Sequence, residues 1–521
     1  MTTSLESEFG SIRSILWPIH RSERRKLVPM LLMICLIVFC YDLLRNMKDA
    51  VVITAAGAEV IPFIKVWALL PGAVLLTYIF TVLSNRYSQE KVFYIMITGF
   101  LIFFALFAFV IYPLRQSLHA HEFADFLAGV LPKGFKGLVA MLRNWSFTLF
   151  YVMSELWGSI IMTVLFWGFA NEVTRIGEAR RFFGVLCFGA NCCAILAGQA
   201  TSILPTEELS SSQLMKEDWG IPLMILVSIV IVSGLMIMGI FRWMNKCVLN
   251  DASFAEFHSN KKAMKEKGKL SIRESFSYLA NSKYLLCIAT LVLSYNLVIN
   301  LVEVVWKDQV RILYPSPGDY FSFMSNITSL IGLLSAVMSL LMARIINRFG
   351  WTKTALITPV IMLITSAGFF AFLFYRNWVG DAMFSFGASA LLIAVLFGAA
   401  QNCLSKAMKY SVFDGTKEMA FIPLSHECKL KGKAAIDGVG SRMGKSGGSL
   451  IHTGLLMICG SLTASAPYVA LILMGVIGFW ILATRSLGRQ FNTLVPDEPK
   501  EKEVSTSPEA VQNLSVLKSL G

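Results

Sequence analysis

Charge is scarce in this 521-residue chain: Asp, Glu, Lys and Arg together make up 15% of it, against about 25% in a soluble domain. Apolar residues reach 55% and the mean hydropathy is +0.64. Scarce charge with abundant apolar surface excludes a soluble globular protein and leaves a polytopic membrane protein. His-Glu-x-x-His and paired Cys-x-x-Cys motifs are missing too, and no Ser-His-Asp constellation is discernible. No metal or cofactor is therefore expected, and a membrane enzyme is the poorer reading. The ten cysteines lie almost entirely in apolar segments or on the expected inner side, with none in a predicted outer loop. No disulfide framework is expected, and Cys192 and Cys193 read as small packing residues. The first 26 residues contain Glu6, Glu8 and Glu23 but no apolar core, so neither a secretory nor a transit peptide is expected. The net charge of +13 is read as basic loops and intramembrane cations, not as a nucleic-acid footprint.

About 20 apolar residues cross a bilayer. That length predicts twelve spans, near 27–56, 60–84, 91–112, 142–170, 178–203 and 221–247, then 283–307, 319–343, 352–375, 384–413, 432–459 and 466–485. The expected organisation is a cytoplasmic segment 1–26, a six-helix bundle 27–247, a cytoplasmic linker 248–282, a second bundle 283–490 and a disordered tail 491–521. The linker carries Lys261, Lys262, Lys265, Lys267 and Lys269. Loops on one side hold Arg86, Lys91, Arg175, Arg180, Arg181, Arg344, Arg348, Lys353, Lys429, Lys431 and Lys433, while the first and last loops opposite have no cation. The positive-inside rule then puts both termini in the cytoplasm. The longest outer loop, Leu114 to Gly137, is expected to hold a short surface helix.

A repeat shows through the apolar pattern. Tyr41-Asp42-Leu43-Leu44-Arg45-Asn46 matches Tyr295-Asn296-Leu297-Val298-Ile299-Asn300, and Gly184 matches Gly438, both at an offset of 254 (from 41 to 295). Asn85-Arg86-Tyr87-Ser88 matches Asn347-Arg348-Phe349-Gly350 at 262 (from 85 to 347). Six spans per unit return the chain to the same side, so the repeats are parallel. The predicted fold is an all-α membrane protein of twelve transmembrane helices in two parallel six-helix repeats, major-facilitator-like, with its site between the halves near the midplane.

Charges inside the spans mark that site. The first span holds Asp42, Arg45, Lys48 and Asp49. Each charge at bilayer depth costs roughly 2.5–3.5 kcal/mol on insertion scales, so such residues line a polar cavity or pair. Arg45 and Lys48, three apart, share a helix face and suggest an anion site; Arg45 also has the reading of a partner for Asp42 or Asp49. The fourth span holds Glu155, the seventh Glu303, and the eleventh Asp437, Arg442 and Lys445. Glu303 falls beside the repeat equivalent of Lys48. Asn46, Asn191 and Asn300 are weaker polar candidates; Asn191 is the repeat equivalent of Lys445. Gly444-Lys445-Ser446 imitates the end of a phosphate-binding P-loop, but Val439 stands at the required glycine and no strand precedes it. The surrounding glycines read instead as close helix contact or local unwinding. Lys65, near the outer end of its span, is expected to snorkel, and His452 to pack. The tryptophans are expected in the core or the interfacial belt.

Arg45-Asn46-Met47-Lys48-Asp49, Ser154-Glu155-Leu156-Trp157, Val302-Glu303-Val304-Val305-Trp306 and the run from Arg442 to Gly448 together resemble the ATP/ADP translocases of obligate intracellular bacteria and plastids. The resemblance spans about Arg13 to Gln490 and is greatest to the chlamydial members. It implies a bacterial inner-membrane antiporter that imports host ATP in exchange for ADP. In that family two lysines and two glutamates are required; residue by residue they fall on Lys48, Glu155, Glu303 and Lys445. With Arg45 and Arg442, the lysines would hold phosphates, while the glutamates orient those cations or contact ribose or base. The expected partners are ATP, ADP and membrane lipid, with no nucleic acid and a monomeric carrier. Phosphate accompanies ADP in some members, which leaves it open as a further partner that the resemblance suggests. The alternative within transport is a proton-coupled nucleotide or organic-anion importer with the glutamates as proton carriers.

Overall fold

The computed structural model describes residues 19–21, 23–174, 176–199, 219–248, 282–379, 389–421, 423–424, 436 and 440–494. Among these, eleven helices are long and apolar enough to cross a membrane. In chain order they are α1 Arg24–Ala56, α2 Val60–Arg86, α3 Gln89–Ile111, α4 Trp145–Val173, α5 Ile176–Gln199, α6 Gly220–Cys247, α7 Lys283–Leu313, α8 Pro317–Leu341, α9 Arg348–Arg376 and α10 Ala390–Ala420, followed after an eleventh position by α12 Leu462–Leu494. The eleventh position is taken by α11, Ser441–Cys459, whose Arg442, Lys445 and glycines keep it out of the apolar class. Most of the expected N-terminal segment, linker and tail lies outside the described residues, as do Arg175, Lys429, Lys431, Lys433, Asp437 and Gly438.

Local chemistry sets the breaks. α1 ends where Gly57 adopts φ 87°. α11 ends at Gly460, φ 77°, in the left-handed conformation that glycine tolerates without a Cβ penalty. The Asn-Arg repeat marks matching turns: Tyr87 and Ser88 are extended between α2 and α3, and Gly350 (φ 72°), near the start of α9, breaks the run Pro317–Val379. The outer-loop stretch carries more than one short helix, namely Arg115–Leu118, His121–Val130 and Lys136–Arg143. α7 outruns its predicted apolar span because Lys307, Gln309 and Val310 are buried in protein rather than facing lipid.

The packing repeats as the sequence does. α1 lies against α5 and α6, and α7 lies against α11 and α12. Between the halves, α5 meets α8 and the N-terminal part of α2 meets α11, the same contact exchanged by the repeat. At the end opposite the start of α1, Gly134 seats directly on the Met457 backbone of α11, and Gly137 on Phe63 of α2. Both sites lack space for a side chain; the first joins the N-terminal half to α11, so the halves meet at that end, and the second packs within the N-terminal half. Among the described residues, π-helical segments include Ile64–Leu69 in α2, Phe107–Ile111 in α3, Gly158–Phe166 in α4 and Lys409–Phe413 in α10. Those of α2 and α10 contribute Lys65, Leu69 and Lys409 to the lining of a central cavity, as π segments often adjoin functional sites.

Candidate functional site

A polar cavity lies between the halves. α1 gives it Tyr41, Arg45 and Lys48; α2 gives Lys65; α4 gives Tyr151 and Glu155. From the other half come Tyr295, Asn296, Asn300, Glu303 and Lys307 of α7, Lys406 and Lys409 of α10, and Lys445 and Ser446 of α11. With all groups ionised the lining holds seven cations against two carboxylates, a formal excess of five positive charges. Asp42 and Asp49, bound to Arg45 and Lys48 from behind, reduce it to three.

An ion network ties these groups together. Lys48 Nζ lies 3.0 Å from Asp49 Oδ1 and 3.3 Å from Glu155 Oε2, and 3.7 Å from the centre of the Tyr151 ring. Lys307 Nζ lies 2.8 Å from Asp49 Oδ2 and 3.2 Å from Glu303 Oε1. Lys406 Nζ lies 3.5 Å from the same Glu303 oxygen. Asp49 thus joins α1 to α7. It is Lys48 and Lys307 that hold Asp49, while Arg45 takes Asp42 at 3.1 Å and Thr328 of α8 at 3.2 Å. Burial makes each pairing obligatory: the side chains of Lys48, Lys307 and Asp49 are 3%, 4% and 1% exposed, and an unpaired buried ion costs several kcal/mol.

Lys65 does not snorkel. Its Nζ donates to Asn300 Oδ1 at 2.5 Å, because the π-helical turn beginning at Ile64 aims it into the cavity, where an acceptor from the opposite half awaits. Asn300 in turn donates to the Lys445 carbonyl at 3.0 Å. Gly444 and Gly448 of α11 sit on the Asn296 and Asn300 Cβ atoms, where a Cβ would come within 2.8 and 2.9 Å. The P-loop-like run is therefore a helix face pressed against α7.

Of the other candidates, Asn46 is fully buried and bonds across the halves to Ser325 and Thr328. Asn191 lies on α5 with its backbone against Gly332 of α8, away from the cavity lining. The side chain of Arg442 is outside the described residues. His452 is wholly buried, with Nε2 3.0 Å from the Leu301 carbonyl, a packing position. Trp157 and Trp306 are core residues donating to the Ile37 and Val395 carbonyls. Lys307, Lys406 and Lys409 were not singled out in the sequence, although signals existed. Lys307 is four from Glu303. Lys406 and Lys409 repeat the three-residue spacing of Arg45 and Lys48, inside a predicted span.

Among the described residues no group of three or more His, Cys, Asp and Glu could hold a metal ion. Converging cations in a low-dielectric enclosure suit a polyanion. The cavity volume, about 180 Å3, is below the roughly 300–1,000 Å3 of ordinary ligand pockets, so a large anion needs the halves to part further.

Comparison with known proteins bears on that anion. The family model described as "TLC ATP/ADP transporter" matches residues 2–491. ADP,ATP carrier protein 1 of Chlamydia pneumoniae is 47% identical over 515 residues, covering 98% of this chain and 99% of that protein. The chloroplastic ADP,ATP carrier protein 1 of Arabidopsis thaliana is 40% identical over 482 residues, covering 92% of this chain and 76% of that protein. Among solved structures, a bacterial homologue of the iron transporter ferroportin in an inward-facing state aligns with TM-score 0.54 and 13% identity, over 90% of this chain and 98% of that one. The inward-open xylose transporter XylE from E. coli aligns with TM-score 0.53 and 11% identity, over 94% and 99%. At such identities these two speak for the major-facilitator-type fold alone.

Proposed function

Because the chain belongs to the TLC ATP/ADP transporter family, we propose that it exchanges ATP for ADP by alternating access. The polyphosphate is held between the halves by Lys48 and Lys445, flanked by Arg45, Arg442, Lys65, Lys406 and Lys409. Glu155 and Glu303 act as internal counter-ions that position these cations. The observation that carries the reading is the excess of positive charge in the lining. Both termini lie in the cytoplasm of a bacterial inner membrane, and the physiological direction is import of host ATP against bacterial ADP.

Exchange follows from electrostatics. Closing the halves over an empty site desolvates unneutralised cations, at several kcal/mol per ion before pairing. A bound nucleotide supplies the missing negative charge, so the loaded carrier closes and reorients. Each 1.4 kcal/mol or so of residual imbalance slows the empty return about tenfold. AMP, with fewer phosphate charges, exchanges poorly. The test is uptake of labelled ATP into proteoliposomes preloaded with ADP, AMP or buffer. Uptake should be fast only with ADP inside. Fast uptake into buffer-loaded vesicles would overturn antiport and favour the proton-coupled importer.

A further inference from the structure

The N-terminal end of α1 presents a charge pattern that helix physics disfavours. Arg24, Arg25 and Lys26 occupy its first turn, with no acidic residue there, although the positive pole of a helix favours anions. Lys26 is buried and bound to Glu178 at 2.6 Å, and Glu23 is held through both carboxylate oxygens by Arg181, at 2.6 and 2.9 Å. Glu178 and Glu23 are thereby engaged by other cations. Arg24 and Arg25 are exposed and have no carboxylate partner among the described residues. Directly below them, α1 and α6 enclose an outward-facing groove of about 530 Å3. Its walls are apolar: Val28, Leu32 and Trp243 are 38%, 51% and 47% exposed. Its depth comes from Gly239, where a Cβ would meet nothing within 4 Å.

We propose that this groove is a binding site for an anionic glycerophospholipid. The phosphate sits between the Arg24 and Arg25 guanidinium groups at the positive end of α1, and one acyl chain lies along Leu32 and Trp243 over Gly239. The phosphate offsets both the paired arginines and the helix pole, and the acyl chain covers the exposed apolar walls. Basic pockets between membrane helices recognise lipid headgroups in this way. The charge complementarity selects lipid with an anionic head over a zwitterionic one of equal chain length. The site is remote from the central cavity and takes no part in holding the transported anion.

Native mass spectrometry of the full chain, titrated with a phosphatidylglycerol and a phosphatidylcholine of identical acyl chains, tests the site. Phosphatidylglycerol should bind the wild type about tenfold or more tightly, two arginines each adding about 1 kcal/mol. The double variant R24Q/R25Q should bind both lipids alike. Gly239→Leu keeps both arginines but fills the groove, and should weaken both lipids. Lys353→Gln removes an exposed cation elsewhere and should change nothing. Labelled-ATP exchange by each preparation reports its folding; if R24Q/R25Q fails to fold, Gly239→Leu decides. Equal affinity for the two lipids in the wild type, full binding by Gly239→Leu, or an equal loss in Lys353→Gln would each overturn the proposal.

Discussion

Asn46 and Asn300 hold the same position in the two repeats, and each reaches into the opposite half. Asn46 Nδ2 donates to Thr328 Oγ1 on α8 at 3.0 Å, and Asn300 Oδ1 accepts from Lys65 Nζ on α2 at 2.5 Å. α2 and α8 are themselves repeat equivalents, so one contact is made twice with different chemistry. The α8 version is neutral. The α2 version is charge-assisted, the stronger class of hydrogen bond, and places its cation in the cavity. The site is therefore asymmetric within a symmetric frame.

Lys48→Gln and Lys445→Gln should each lower ATP and ADP exchange by about 10- to 100-fold, matching the loss of one charged hydrogen bond to phosphate. Membrane insertion should be unaffected. Initial uptake rates at matched protein incorporation check this; wild-type rates in both variants would remove the lysines from the site.

Glu303 balances two lysines, 3.2 Å and 3.5 Å away. Glu303→Gln keeps a hydrogen-bond acceptor for them, whereas Glu303→Lys adds a third cation. The lysine variant should lose exchange far more than the glutamine variant. Equal, mild effects on uptake kinetics would reduce Glu303 to a packing residue.

Breaking the Asp49–Lys307 bridge by one substitution takes one of two partners from the buried ion left behind, since Lys48 stays beside Asp49 and Glu303 beside Lys307, and costs a part of the about 3–5 kcal/mol of a fully broken buried pair. Asp49→Asn and Lys307→Gln should each lower the melting temperature in detergent. The double variant should recover part of the loss, since the two residues share one interaction. Strictly additive losses would mean the bridge contributes nothing as a pair.

His119 lies outside the membrane helices, with Nε2 2.7 Å from Ser146 Oγ. Burial, then His121 and Arg115, hold its pKa below the usual histidine value. The unfolded chain therefore binds the proton more readily, and stability falls as pH drops below about 6.5. His119→Gln should flatten the melting-temperature profile between about pH 5 and 7. A profile unchanged by the substitution would exclude His119 as a contributor.

Much of the frame was legible because membrane helices obey simple rules of length and charge. The offset linking Tyr41–Asn46 to Tyr295–Asn300 anticipated that α1 and α7 would pack alike. Arg45 and Lys48 announced themselves by their cost in an apolar run. Lys65 was misread because depth along a span says nothing of azimuth, and a π-helical turn resets azimuth without a sequence signature. The repeat relation of Asn191 does not by itself place it in the site: its partner Lys445 lines the cavity, while Asn191 is outside that lining and its backbone meets Gly332 of α8. Asp49 as the bridge to Lys307 joins residues distant in sequence, beyond the reach of local periodicity.

The glycine run of α11 limits what the site can perceive. Because α11 is helical from Ser441 onward and pressed on α7, the backbone amides from Lys445 onward are committed to the helix and cannot cradle an oxygen. Lys445, like Lys48, offers only a compact ammonium, which attracts charge without demanding a planar or bidentate outline. A site made mainly of such groups, with five lysines besides Arg45 and Lys48 in its lining, weighs its cargo more than it traces its contour. The expectation is that an ATP analogue with a methylene bridge between its last two phosphorus atoms, nearly unchanged in charge, competes for exchange about as well as ATP, while shortening the phosphate chain to AMP abolishes competition. Strong discrimination against the methylene analogue would mean that shape is being read after all.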